Sequence, residues 1–326
     1  MKITLTRRGL ATVFAAAPFA AQAQANWPSR PLRMIVPFAP GGGSDTLGRL
    51  LAMPLGAELG QPVVVENRAG AGSQIGAEAV MRSPPDGLTL LLGDTPLATI
   101  PAVQAASGQP VAFDTARDFT PIATLGVAPA LLVVAASSPF RTTRDLLEAA
   151  RARPEAVNVA SGGTATSTHL MIELLQIRSG VKVTHVPYRG TGAALPDVLN
   201  GTVQAMIQAM ATAAPLVTGG QMRVIGVAAE QRLPAMPDVP TLREQGVDLV
   251  AGFWWGVLGP AGIPTPIVAR LQQAIDKAMA SEAVQARLPA LGLERLQLGP
   301  DAFRSMLVSE TARWRDVVTT AGIKPE

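Results

Sequence analysis

Eight short apolar or β-branched runs punctuate this chain, at 33–37, 63–66, 88–92, 131–135, 157–160, 182–186, 203–208 and 223–228. Apolar residues at three- and four-residue steps fill several of the intervals. They are Leu47, Leu50, Leu51, Leu55 and Leu59, then Leu170, Met171, Leu174 and Leu175, and later Val268, Leu271, Ile275 and Met279. Runs of that length suit strands, and that spacing lines one face of a helix. The alternation specifies an α/β fold with mostly parallel sheets covered by helices. A chain of 326 residues is long enough to divide its core, so two domains are expected. Pro54 falls inside the first helical repeat and should kink or shorten it. Phe253-Trp254-Trp255 leads into Gly259-Pro260 and reads as core, with one indole able to face a cleft.

The amino terminus bears on compartment. Lys2, Arg7 and Arg8 precede an apolar run from Leu10 to Ala20, and small residues follow at Ala21-Gln22-Ala23 and Ala23-Gln24-Ala25. Residues 1–25 read as a secretory signal peptide. Thr6-Arg7-Arg8-Gly9-Leu10 also fits a twin-arginine export signal. Without the three cations of this segment, the 27 Lys and Arg fall to the number of the 24 Asp and Glu. A balanced mature chain has no basic stripe for nucleic acid. No cysteine is present, so disulfides, thiolate nucleophiles and cysteine zinc sites are excluded. His169 and His185 are the only histidines, and no Asp/Glu cluster surrounds either in the sequence. No metal and no cofactor is expected.

One device occurs twice. The strand ending at Val36 runs into Pro37-Phe38-Ala39-Pro40-Gly41-Gly42-Gly43-Ser44-Asp45 and then a helix. The strand ending at Ala160 runs into Ser161-Gly162-Gly163-Thr164-Ala165-Thr166-Ser167-Thr168 and then a helix. The first N–H groups of a helix lack internal partners and carry a partial positive charge. Glycines admit a ligand close to the backbone, and Ser44, Asp45, Thr166 and Ser167 are suitable caps. Each junction is an anion cradle, and two of them facing a cleft could hold one carboxylate without a buried cation.

Other motifs fall short. Gly70-Ala71-Gly72-Ser73-Gln74-Ile75-Gly76 resembles a dinucleotide fingerprint, and Asp94 follows roughly 20 residues on. However, Glu66-Asn67-Arg68-Ala69 separates the glycines from the strand, which favours a plain helix start. No Gly-Lys-Ser/Thr closes the triple glycine, and no Gly-x-Ser-x-Gly elbow accompanies Ser161 and Ser167. His169 has no evident acid to orient it and reads as a packing or helix-surface residue.

The whole chain after residue 25 resembles the substrate-binding receptors of tripartite tricarboxylate transporters, the Bug-type receptors. The resemblance rests on Trp27-Pro28-Ser29-Arg30-Pro31, on the loop from Val36 to Asp45, and on Val64-Val65-Glu66-Asn67-Arg68-Ala69-Gly70-Ala71-Gly72. It continues in Pro85-Asp86-Gly87-Leu88-Thr89-Leu90-Leu91, Ser161-Gly162-Gly163-Thr164, Thr168-His169-Leu170 and Val186-Pro187-Tyr188-Arg189-Gly190. Asp238-Val239-Pro240-Thr241 and Gly259-Pro260-Ala261-Gly262-Ile263-Pro264 complete it. It implies a type II periplasmic-binding-protein fold, with two α/β domains flanking a ligand cleft. Residues 26–128 with 253–326 would form one domain and 129–252 the other, with two chain crossovers.

It further implies a monomeric periplasmic receptor that performs no chemistry and delivers a small carboxylate to membrane permease subunits. Ligand contacts would come from Phe38, Ala39, Gly42, Gly43, Ser44, Asp45 and Thr95 on one side. Ser161, Gly162, Gly163, Thr164, Thr166, Ser167, Tyr188, Arg189, Gly190 and Gln208 would supply the other. The family commonly has aspartate where this chain has Gln208, and an acidic residue where it has Gln204. A glutamine cannot pair an ammonium, so an organic acid lacking an amino group is expected. The alternative is that Gln208 faces away and Asp45 serves an ammonium. An exported cofactor-dependent oxidoreductase and a sensory receptor feeding a signalling partner are the competing classes.

Overall fold

The computed structural model describes residues 27–323 apart from 39, 41, 42 and 189. The expected signal segment at 1–25 and the expected contacts Ala39, Gly42 and Arg189 therefore lie outside the described residues.

Strands β1 (Leu32–Val36), β2 (Val63–Asn67) and β3 (Thr89–Asp94) pair in parallel. Strand β4 (Phe119–Ala135) is the longest, at 17 residues. Strands β5 (Asn158–Ser161), β6 (Thr184–Pro187) and β7 (Ala205–Ala209) make a second parallel group. Strands β8 (Met222–Val227) and β9 (Gly252–Pro260) both run antiparallel to β4. The resulting order is β2-β1-β3-β9-β4-β7-β5-β6, with β8 also on β4. The sheet is therefore mixed, not mostly parallel. A chain that leaves the first group and returns to it must enter and exit through connecting strands, and β4 and β9 are those strands.

The eight expected strands are all present, but β4 extends far upstream of 131–135 and β9 was not foreseen as a strand. Pro121, Gly126 and Pro129 lie in β4, and β4 admits them through register shifts at Pro121/Ala123 and Thr124/Gly126. Glycines in β9 disguise it in the same way. A Cβ on Gly256 would lie 2.4 Å from the Phe303 ring, and one on Gly252 would lie 2.3 Å from the Ala128 carbonyl. Close approach, not strand weakness, selects glycine there.

The main helices are α1 (Gly43–Leu59), α2 (Gln74–Met81), α3 (Pro96–Ala106), α4 (Thr143–Ala152), α5 (Ser167–Ser179), α6 (Thr191–Leu199), α7 (Met210–Thr218), α8 (Thr265–Ala280) and α9 (Pro300–Ala321). The leucine stripe of α1 buries Leu47, Leu51, Leu55 and Leu59 against one face of the first strand group. Helix α1 continues through Pro54 to Leu59, contrary to the expected shortening. An interior proline costs about 3 kcal/mol, whereas each buried leucine contributes about 2 kcal/mol. Leu170, Met171, Leu174 and Leu175 of α5 are buried, as are Val268, Leu271, Ile275 and Met279 of α8. Helix α4 opens with a reciprocal capping box between Thr142 and Asp145. A continuous apolar core runs from Ile35 and Leu91 through Phe303 and Trp314 to Leu132, Leu146 and Leu170.

The register locates the functional edge. β4 faces β9 from Phe119 opposite Pro260 to Pro129 opposite Gly252, then faces β7 beginning with Ala130 opposite Ala209. Asp94, at the end of β3, lies opposite Trp255, which lies opposite Gly126. The carboxyl ends of β3 and β7 thus meet, from opposite directions, beside residues 126–130 of β4. In open α/β sheets, ligands bind at such carboxyl ends.

Candidate functional site

The first glycine junction leaves β1 at Val36 and enters α1 at Gly43. Its expected contacts take up specific partners. Ser44 lies within the first turn of α1, and its Oγ donates to Asp94 Oδ2 (3.1 Å) while accepting from Trp255 Nε1 (2.9 Å). Asp45 is buried and held by Arg49 (3.0 Å) and by Asn67 Nδ2 (2.9 Å). With a cation already beside it, Asp45 is poorly placed to serve a ligand ammonium. Asn67 also donates to the Phe38 carbonyl (3.0 Å), which ties the loop to β2. Gly76 braces it from below, since a Cβ there would lie 2.7 Å from Pro37 Cβ. The dinucleotide look-alike is thus a buttress for Pro37, where the chain leaves β1. Thr95 is fully buried, and its hydroxyl accepts the Trp254 amide (3.3 Å), fastening β3 to β9.

The second junction leaves β5 at Ser161 and enters α5 at Ser167. Thr166 caps α5 through the His169 amide, as expected. Several loop amides have internal acceptors. Gly162 N donates to Thr168 Oγ1 (3.0 Å), Gly163 N to Ser161 Oγ (3.0 Å) and Ala165 N to His169 Nδ1 (2.9 Å). The loop is shaped before any ligand arrives. Tyr188 N and Gly190 N donate to the carbonyls of Ser161 and Gly162, so the β6–α6 connection packs on this loop (3.1 and 3.0 Å). The Tyr188 hydroxyl donates to Asp197 (2.6 Å), a hydrogen bond that pushes its pKa up to about 12.

His169 packs in the interior, one of its two expected placements, and its ring stacks on His185 at 3.7 Å between centroids and 11° between planes; the expected lack of an orienting acid is what the structure corrects. His169 Nε2 lies 3.5 Å from Glu173, so an acid one helical turn away does orient it. The sequence alone could not show that β6 places His185 against α5. His185 Nε2 lies 2.6 Å from Ser161 Oγ, which also bonds both the N–H and the carbonyl of Gly163. Ser161 is fully buried, and this pair braces the loop. Among the described residues, no group of three His, Cys, Asp or Glu could hold a metal.

Burial and the neighbouring His169 charge lower the His185 pKa to about 4, with Glu173 opposing. An unfolded imidazole titrates near 6.5. Between these values the unfolded chain binds the proton and the folded chain does not. Stability from this group is therefore complete above about 6.5 and declines as pH falls toward about 4. We expect His185→Gln to flatten the Tm profile over that window. A variant profile parallel to the wild type would assign the acid sensitivity elsewhere.

The first junction approaches the second strand group at a third helix start, the one that follows β7. Gln208, one residue from the end of β7, is buried, and α7 begins at Met210. A Cβ on Gly43 would lie 3.8 Å from Ala211 Cβ of α7. Helix starts from both strand groups are therefore in near contact across mid-β4. Gln204 is engaged elsewhere: it accepts from Asn158 N (2.8 Å) and donates to Gly201 O (3.0 Å), pinning the start of β7 to β5. Asp94, read in the sequence only as the acid of a dinucleotide-like motif, and Trp255, one of the two indoles expected to be able to face a cleft, both bond Ser44. The signal for Asp94 was a lone acid closing the buried run Thr89–Asp94.

The family described as tripartite tricarboxylate transporter family receptor matches residues 47–323. The Bordetella pertussis protein BugT is 36% identical over 317 residues, covering 97% of this chain and 95% of its own. A structure described as periplasmic binding protein BugD superposes with a TM-score of 0.82 at 30% identity, covering 92% of this chain and all of that one. A Rhodopseudomonas palustris protein with adipate gives 0.84 at 32% identity, with coverage of 92% and 100%. MatC of Rhodopseudomonas palustris, with bound malate, gives 0.78 at 34% identity, with coverage of 90% and 100%.

Proposed function

The chain belongs to the tripartite tricarboxylate transporter receptor family and has the fold of periplasmic binding proteins; from that membership we propose that it captures a small organic acid in the periplasm. It passes the acid, chemically unchanged, to membrane permease subunits. The observation that carries this reading is the meeting of the β3 and β7 carboxyl ends, each followed by a helix start, at mid-β4. Small dicarboxylates are the first ligands to consider, because relatives of the same fold hold malate and adipate. The change of β4 partner between Pro129 and Ala130 supports one domain at 26–128 with 253–326 and another at 129–252. Residues 1–25 direct export and are removed. No helix among the described residues is long and apolar enough to cross a membrane.

A thermal-shift panel of carboxylates on the mature protein, preceded by native mass spectrometry, tests the reading. A hundredfold excess over Kd stabilises by about 2.7 kcal/mol, a Tm rise on the order of 5 °C. We expect C4–C6 dicarboxylates to produce it. A co-purified flavin or nucleotide, with no response to any carboxylate, would favour an exported oxidoreductase instead.

A further inference from the structure

Three buried polar atoms near the meeting point of the strand ends have no partner among the described residues; Trp254 Nε1 belongs to an indole packed on Phe303, which leaves Asp94 Oδ1 and Gln208 Nε2. A buried group without a hydrogen bond is costly and calls for a partner. Two such atoms, one from each strand group, point to a partner that arrives from outside.

The surroundings of Asp94 determine what it can offer. Its Oδ2 accepts from Ser44 Oγ, and Trp255 Nε1 donates to that same Oγ. Among the described residues no cation pairs with it. On the flanking elements, Asp45 and Arg49 of α1 are tied to each other, Arg33 of β1 to Glu66, and Glu78 of α2 to Arg82. β9, α3, β7 and α7 carry no ionisable side chain at all. Burial, only partly offset by the Ser44 hydrogen bond, pushes the Asp94 pKa up to about 8. At neutral pH the carboxyl keeps its proton, and Oδ2 is already an acceptor, so Oδ1–H is the free donor. Gln208 Nε2 is also a donor. What the site lacks is acceptor oxygens.

We propose that Asp94 is a specificity-determining residue that donates its carboxyl proton to one oxygen of the bound acid, while Gln208 Nε2 donates to a second. The proposal rests on the receptor reading and narrows it. The ligand has at least two oxygen functions, as in dicarboxylates and their hydroxy or keto derivatives, and no ammonium. An O–H donor on a carboxylate makes a short, strong bond. An ionised Asp94 would lose that bond and repel the ligand. Binding is therefore proton-linked: affinity is flat below about pH 8 and falls as pH rises through it.

The test is calorimetric titration of the mature protein with L-malate, succinate, adipate and L-aspartate at pH 7 and pH 9. Wild type is expected to bind at least one of the first three, with affinity about tenfold weaker at pH 9. Asp94→Asn retains an N–H donor and should bind within about threefold of wild type at pH 7, with the pH 9 loss abolished. Asp94→Ala should bind at least tenfold more weakly than wild type at pH 7, with no further loss at pH 9. Tighter binding of aspartate than of succinate, lost in Asp94→Asn, would make Asp94 an anionic acceptor and overturn the proposal. So would identical pH profiles in wild type and Asp94→Asn. Binding by wild type that Asp94→Ala leaves unchanged defeats this inference alone; failure of wild type to bind any of the acids defeats the receptor reading itself.

Discussion

Gly43→Leu will lose carboxylate binding by about 100-fold or more, some 2.7 kcal/mol, while melting within about 3 °C of the wild type. Gly43 opens α1, and a Cβ there would already touch Ala211 Cβ of α7 at 3.8 Å. A methyl group fits in ordinary contact; an isobutyl group must occupy the space where α1 and α7 face each other. It holds the two strand groups apart without entering either core. Leucine also suits a helix better than glycine by about 0.8 kcal/mol, so the fold does not suffer. Gly43→Ala is the control and should bind within about threefold of the wild type. Isothermal titration of all three proteins decides the matter. Wild-type affinity in Gly43→Leu would remove the α1–α7 approach from the binding event.

Gly163→Ala will weaken binding by about tenfold to 100-fold and reduce stability by about 1–3 kcal/mol. The cause here is backbone conformation. Gly163 has φ +132°, a region that side-chain-bearing residues rarely adopt, and an added Cβ would lie 3.1 Å from the Tyr188 carbonyl. Relaxing that strain moves the Gly163 carbonyl, which accepts from Thr166 Oγ1 (2.7 Å) and Ser161 Oγ (3.1 Å). The second loop would lose its fixed shape. At Gly162 a Cβ meets only Thr191 and Thr168, at 3.4 Å or beyond, and the backbone is ordinary. Gly162→Ala should therefore remain near wild type in urea unfolding and in affinity. Equal effects at the two glycines would refute a conformational origin.

The strands of the two parallel groups were legible because each is a short apolar run bounded by turn residues. β9 was not, because Gly252, Gly256 and Gly259 answer to neighbours that only the fold supplies, Ala128, Phe303 and Ile263. Both glycine junctions could be read from local chemistry. The buried histidine stack could not, since it joins α5 to β6 across a contact that no periodicity encodes. Nor could the internal hydrogen bonds of Gly162, Gly163 and Ala165 be foreseen. Glycine and hydroxyl content indicates where an anion could be met, but not which amides already have partners. Asp94 was visible only as an acid at a plausible distance from a misleading motif. Its role follows from burial and from Ser44, 50 residues away in sequence.

The order in which the chain is made matters for β9. Trp254 follows Thr95, whose hydroxyl accepts its amide, by 159 residues. Until that segment emerges, β3 and the leading part of β4 each expose an unpaired edge, and the indole that donates to Ser44 has not yet been synthesised. The segment from β4 to β8 meets no such delay, because β5, β6, β7 and β8 follow one another closely. Long-range strand pairing is slow and leaves sticky edges open. An unfolded or nascent chain of this protein is thus most vulnerable at β3 and the start of β4, whose pairing waits for β9.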